Sequence, residues 1–210
     1  MESINEYLIL PISIVYRKSF SYLSRYLNDE INPDVNKQRY YERISSLKQI
    51  ISFFKESNHI IDNIYLGNAR NSGSYESLKD NNIKLIINVT KEIPNYYPDE
   101  FKYINYYIND DNKDTIAPFL EESYQKIIDY QKNNDGNILV HCYMGASRSV
   151  SIILYYLMRK YKNKFDINNS IEFIKNKRSV INPTCKLLDD IKRQINLNNQ
   201  SSTNRTISIN

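Results

Sequence analysis

The sequence predicts an α/β domain, a central mixed sheet of about five strands flanked by helices, behind an N-terminal helical extension. Three observations carry that expectation. Short β-prone runs at residues 60–68, 83–89, 102–108 and 138–140 alternate with segments of helical periodicity. The run 83–89 is almost continuously apolar, the pattern of a strand covered on both faces. Reactive side chains gather just after Val140, at the carboxyl end of a strand, where open α/β sheets place their ligands.

Taken in order, residues 1–57 read as the helical extension, with Ile44, Leu47, Ile51 and Phe54 on one face between Arg43, Lys48 and Lys55. That face is expected to pack on the main domain; the alternative is a docking helix whose partner the sequence does not name. The domain proper is expected over residues 58–197. It opens with a hairpin turning at Asp62-Asn63, and a loop and short helix follow over residues 71–82. Strands come at 83–89 and 102–108, with Pro94 and Pro98 in the loop between them. A helix carries Leu120, Tyr124, Ile127 and Ile128 and stops near Gly136. Beyond Arg148, the residues Val150, Ile153, Leu154, Leu157, Met158 and Tyr161 mark a central buried helix. Two more helices follow, one with Ile171 and Ile174, the other capped by Asn182 with Pro183 in its first turn and burying Leu187, Ile191 and Ile195. Residues 198–210 are polar and expected to be disordered.

The chemistry concentrates in residues 139–149, Leu-Val-His-Cys-Tyr-Met-Gly-Ala-Ser-Arg-Ser. A strand, a tight loop and a helix start in that order turn successive backbone N–H groups into one concavity, and the helix end adds positive potential. Such a cradle suits a doubly charged phosphate, with Cys142 at its rim. A free thiol, with pKa about 8.5, is only a few per cent ionised at pH 7, but amides, a helix end and a guanidinium lower it to roughly 3.5–7.5. Such a sulfur is a standing nucleophile. A shift of ~3 units corresponds to ~4 kcal/mol of preferential stabilisation of the anion. Arg148 offers a planar fork for two phosphoryl oxygens, so the site requires no metal or other cofactor. Gly145 tolerates positive φ, and Ser147 and Ser149 bring hydroxyls near the sulfur.

The run His141-Cys142-Tyr143-Met144-Gly145-Ala146-Ser147-Arg148-Ser149 resembles the phosphate loop of the dual-specificity protein phosphatases, members of the cysteine-based protein tyrosine phosphatase superfamily. The resemblance covers about two-thirds of the chain. It implies the cysteine-phosphatase type of fold and hydrolysis of phosphotyrosine, and of phosphoserine and phosphothreonine, on proteins through a phosphocysteine at Cys142. It also implies a general acid on the loop before the helix that precedes the cysteine strand. Matching the Ile-x-Asp step and the apolar residue six positions later, Ile116, places that acid at Asp110, with Asp111 and then Asp114 as competitors. By the same resemblance His141 orients the loop, and Ser149 assists hydrolysis of the phosphocysteine. The chain departs from the family in reading Pro183-Thr184 where members often have Pro-Asn, so the substrate-side hydrogen bonding of that Asn is not carried over to this chain.

Composition narrows the alternatives. A net charge of +4 with no long basic run argues against nucleic acid as a partner. Two Cys without a paired framework point to a reducing compartment, cytoplasm or alternatively nucleus, and two His make a zinc site improbable. Cys185 is expected to pack as a small hydrophobe, a disulfide with Cys142 being the alternative. The apolar stretch 7–15 is too short for a membrane span, has acidic rather than basic residues before it, and is expected to be neither anchor nor signal. A phosphoinositide phosphatase would profit from Lys or Arg inside the loop, and residues 143–147 carry none. A non-catalytic module that reads phosphoproteins is the rival of another class; loss of the cysteine would favour it, and Cys142 is present.

Overall fold

A computed structural model describes residues 56–109 and 114–207, with side chains as far as residue 200. The helical extension lies outside the described residues apart from positions 56 and 57, and so do Asp110 and Asp111. Strands β1 (Asn58–Ile61) and β2 (Ile64–Gly67) form the expected antiparallel hairpin. Asp62 at its turn adopts φ +50°, a left-handed conformation that Asp tolerates better than most residues. Two short helices follow, α1 (Ala69–Ser72) and α2 (Tyr75–Asp80), then strands β3 (Ile83–Asn88) and β4 (Lys102–Asn105). Helix α3 (Ala117–Asn133) leads to β5 (Asn137–His141), and α4 (Arg148–Lys160), α5 (Ile167–Lys177) and α6 (Cys185–Ile207) complete the chain.

The sheet order is β1-β2-β5-β3-β4, parallel throughout except for the opening hairpin. The cysteine strand therefore lies at its centre, with the ends of β2 and β3 on either side. Strand alternation distributes the apolar run to two faces. Leu85, Ile87, Ile138 and Val140 face the larger core, while Ile86 and Leu139 face a smaller one with Leu78, Ile83 and Phe101. Every residue of α4 from Arg148 to Leu157 is buried. At about 2 kcal/mol for each fully buried Ile or Leu, this helix is a rigid post beneath the loop.

The structure departs from the sequence reading at several boundaries: the one short helix expected over residues 71–82 is two, α1 and α2. Strand β4 stops at Asn105, because β3 ends opposite it. Tyr106 N–H takes the last β3 carbonyl, that of Asn88, at 2.8 Å, and Ile108 N–H then turns back on Tyr106 O at 2.9 Å. Asn182 does not cap α6: the helix begins at Cys185 and its bonding starts at Thr184 O, while the Asn182 N–H donates to Ala146 O at 2.7 Å. Helix α6 continues past Asn198 to Ile207, where the sequence suggested a disordered tail. Cys185, expected to pack inside, is exposed at the start of α6, and both it and Cys142 are free thiols. No helix among the described residues is long and apolar enough to cross a membrane.

Candidate active site

The chain leaves β5 at His141 and returns as α4 at Arg148, and the loop between them closes over Cys142. The sulfur accepts the Gly145 N–H at 3.2 Å and the Ser149 hydroxyl at 3.2 Å. Burial by itself raises the Cys142 thiol, but the Arg148 charge, the Ser149 hydroxyl and the amides of Ser149 and Ser147 outweigh it and hold the thiol below its ordinary value. Gly145 stands at φ +66°, and a Cβ there would lie 2.3 Å from Gly67 O. No other residue fits that turn without moving the backbone.

Arg148 is buried, and its guanidinium is aimed by groups distant in sequence. Nη2 donates to Glu92 Oε1 at 2.7 Å and Nη1 to Oε2 at 3.1 Å, while Nη1 also reaches Ile108 O at 2.8 Å. Glu92 stands on a turn built by Asn88, whose Nδ2 donates to Ile93 O at 2.8 Å and whose Oδ1 accepts from Thr90 Oγ1 at 2.6 Å. Burial tends to raise the Glu92 carboxyl, but the guanidinium prevails and holds it below the usual carboxylate range. The pair is bidentate, the strongest geometry open to these groups.

His141 is wholly buried, and burial pushes its imidazole down to about 4, so it is neutral at pH 7. The Cys142 backbone opposes that shift without completing a hydrogen bond to either ring nitrogen. The side chains of the loop's outer residues Tyr143 and Met144 pack with Ala69, Ile93 and Tyr96. The Ser147 hydroxyl is buried and meets no partner among the described residues.

Of the three acid candidates only Asp114 is described, and it is already engaged. Its Oδ2 accepts from Asn109 N at 2.8 Å and Asn109 Nδ2 at 3.0 Å. The same end of the acid loop is tied to α6. Asp190, almost fully buried, accepts from Thr115 Oγ1 at 2.7 Å and Ile116 N at 3.1 Å, and Lys186 Nζ donates to Asp114 O at 2.7 Å. Glu92, Asp190 and Arg178, a buried residue behind the loop, escaped the sequence reading. Asp190 left one signal, a carboxylate beside Ile191 on the apolar face of a helix.

A central parallel strand that leads into a depressed thiol, with main-chain amides beside the sulfur and a buried guanidinium at the helix start, defines a cysteine-centred α/β domain whose loop is suited to an anion. Residues 64–196 match the family model described as dual specificity phosphatase, catalytic domain. Protein phosphatase Slingshot of Drosophila melanogaster is 34% identical over 133 residues, which cover 63% of this chain and 12% of that protein. Dual specificity protein phosphatase 9 of Homo sapiens is 34% identical over 148 residues, 68% of this chain and 38% of that one. The chain thus spans well under half the length of these curated relatives. Human DUSP28 superposes with a TM-score of 0.62 at 21% identity, covering 67% of this chain and 93% of that one, and so shares the fold. The chain belongs to the dual-specificity phosphatase family.

Proposed function

We propose that the protein is a metal-independent phosphatase acting on phosphotyrosine, and on phosphoserine and phosphothreonine, in protein substrates in the cytoplasm. The observation that carries this reading is the Cys142 sulfur, bonded at 3.2 Å by both the Gly145 amide and the Ser149 hydroxyl while its thiol is held low. The thiolate attacks phosphorus, and the P–O bond to the substrate side chain breaks. Asp110 protonates the departing oxygen, leaving a phosphocysteine at Cys142. Arg148 and the loop amides bind the equatorial oxygens and neutralise the charge that the transition state spreads over them. Asp110, now a base, takes a proton from water, which attacks phosphorus and expels the sulfur. The Ser149 hydroxyl stabilises that leaving thiolate. His141, neutral and buried, transfers no proton and holds the loop's entry. The uncharged side chains of residues 143–147 favour a phosphoprotein over a multiply phosphorylated inositol lipid.

The test is hydrolysis of para-nitrophenyl phosphate by the purified chain in EDTA. Turnover is expected to persist with the chelator, to fall by roughly 10⁴ or more in Cys142→Ser, and by roughly 10²–10⁴ in Asp110→Ala. Loss of turnover in EDTA, or an active Ser variant, contradicts the mechanism.

A further inference from the structure

Peptide units are planar and trans, so a carbonyl fixed on one side turns the following N–H to the other. Around the loop, four successive carbonyls are each taken from outside. Ala69 N–H donates to Tyr143 O at 3.1 Å and Asn182 N–H to Ala146 O at 2.7 Å. Between them, Arg178 Nη2 donates to Met144 O at 3.2 Å and Arg178 Nε to Gly145 O at 2.9 Å. The amides of the same four peptide units, those of Met144, Gly145, Ala146 and Ser147, are thereby turned inward. The Gly145 amide is the one already 3.2 Å from the sulfur.

Two of these four outer contacts come from one side chain. Arg178 is fully buried just past the end of α5, and its Nη1 donates to Asn58 Oδ1 at 2.8 Å, in the first strand. A desolvated guanidinium costs several kcal/mol, a cost out of proportion to simple packing. A Cβ on Gly145 would stand 2.8 Å from Nη2, so the loop and the fork are fitted to each other. We infer that Arg178 is a positioning residue of the phosphate loop: its rigid fork fixes two consecutive peptides, aiming the Gly145 and Ala146 amides at the anion, and Asn58 orients the fork. The inference rests on the phosphate-binding reading of the loop. It separates two arginines by task, Arg148 towards the ligand and Arg178 towards the backbone that receives the ligand. Lysine cannot replace Arg178, because a single ammonium does not reproduce a planar fork held by three acceptors in fixed directions.

The experiment uses the full chain and Arg178→Lys, Arg178→Met and Asn58→Ala variants. It reads the pH dependence of Cys142 alkylation by iodoacetamide, protection of Cys142 by inorganic phosphate, kcat and KM on para-nitrophenyl phosphate, and thermal melting. Both Arg178 variants are expected to move the alkylation midpoint upward, weaken phosphate protection at least tenfold and lower kcat more than they raise KM. Asn58→Ala is expected to move each readout the same way, about threefold, while the chain stays folded. Wild-type values in Arg178→Lys overturn the inference, since charge alone would then suffice. If the Arg178 variants fail to fold, unchanged alkylation and protection in folded Asn58→Ala overturn it. A wild-type Cys142 that alkylates like an ordinary thiol would bring down the phosphatase reading as well, whereas a reactive wild type with indifferent variants removes this inference alone.

Discussion

The two edges of the sheet are built on opposite rules. At the carboxyl edge, backbone does the work: Gly145, at φ +66°, leaves no room for a Cβ against the Gly67 carbonyl, and its amide donates to the Cys142 sulfur. At the amino edge, side chains satisfy one another. Asp62 accepts from Tyr156 Oη at 2.5 Å, Tyr161 Oη at 2.8 and 3.0 Å, and Lys160 Nζ at 3.1 Å. Gln131 ties that cluster to Asn63 at 2.7 Å. Helix α4 joins the two, beginning with Arg148 and ending with Tyr156 and Lys160. One edge gathers backbone donors beside Cys142, while the other consumes its donors internally, so substitutions should separate into chemical and structural classes.

The sharpest way to break that contrast is Arg148→Lys at the carboxyl edge. The ammonium keeps the charge but loses the fork, and kcat/KM is expected to fall by roughly 10²–10³ with little change in melting temperature. A loss under threefold would show that the fork is dispensable.

His141 offers a pH-resolved test at the same edge. Its folded pKa of about 4 lies below the ordinary 6.5, so the unfolded chain binds the extra proton between those values. The stability this contributes is complete above pH 6.5 and is lost as pH falls towards 4, about 3 kcal/mol in all. His141→Gln should flatten that portion of the denaturation profile relative to wild type; an equally steep decline in both would mean that His141 is not the titrating group.

Glu92→Gln, which keeps the shape but removes the charge facing Arg148, is expected to lower kcat by about tenfold through a less firmly aimed guanidinium. Steady-state kinetics at saturating substrate would show it, and an unaltered kcat would assign the pair to packing alone.

The smallest effect belongs to the amino edge. Asp62→Asn keeps a residue suited to φ +50° but removes the carboxylate, and should cost about 1 kcal/mol in urea denaturation with kcat unchanged. Burial tends to raise the Asp62 carboxyl, but Tyr156, Tyr161 and Lys160 together hold it below its ordinary value. Its contribution is present above the unfolded pKa and disappears as pH falls through the folded one. A fall in kcat would contradict the division between the edges.

Much of this was legible in the sequence where the deciding interaction is local. Residues 83–89 announced a strand covered on both faces, and the spacing of Cys142, Arg148 and Ser149 announced that they converge on one loop. What stayed hidden depends on partners far along the chain. Glu92 lies 56 residues from Arg148, Arg178 lies 33 from Gly145, and Asp190 lies 74 from Ile116. No periodicity links such pairs. The end of β4 was hidden for the same reason, because it is set by where its neighbour β3 stops, at Asn88 opposite Asn105.

The central proposed step is transfer of a phosphoryl group to the Cys142 sulfur. Rapid acid quench of the full chain with para-nitrophenyl phosphate, followed by peptide mass spectrometry, addresses that directly. A phosphate adduct on Cys142, formed in a burst of nitrophenol no larger than the enzyme concentration and trapped more fully in Ser149→Ala, is the predicted result. Steady turnover with no adduct on Cys142, or with phosphate on any other side chain, would contradict it.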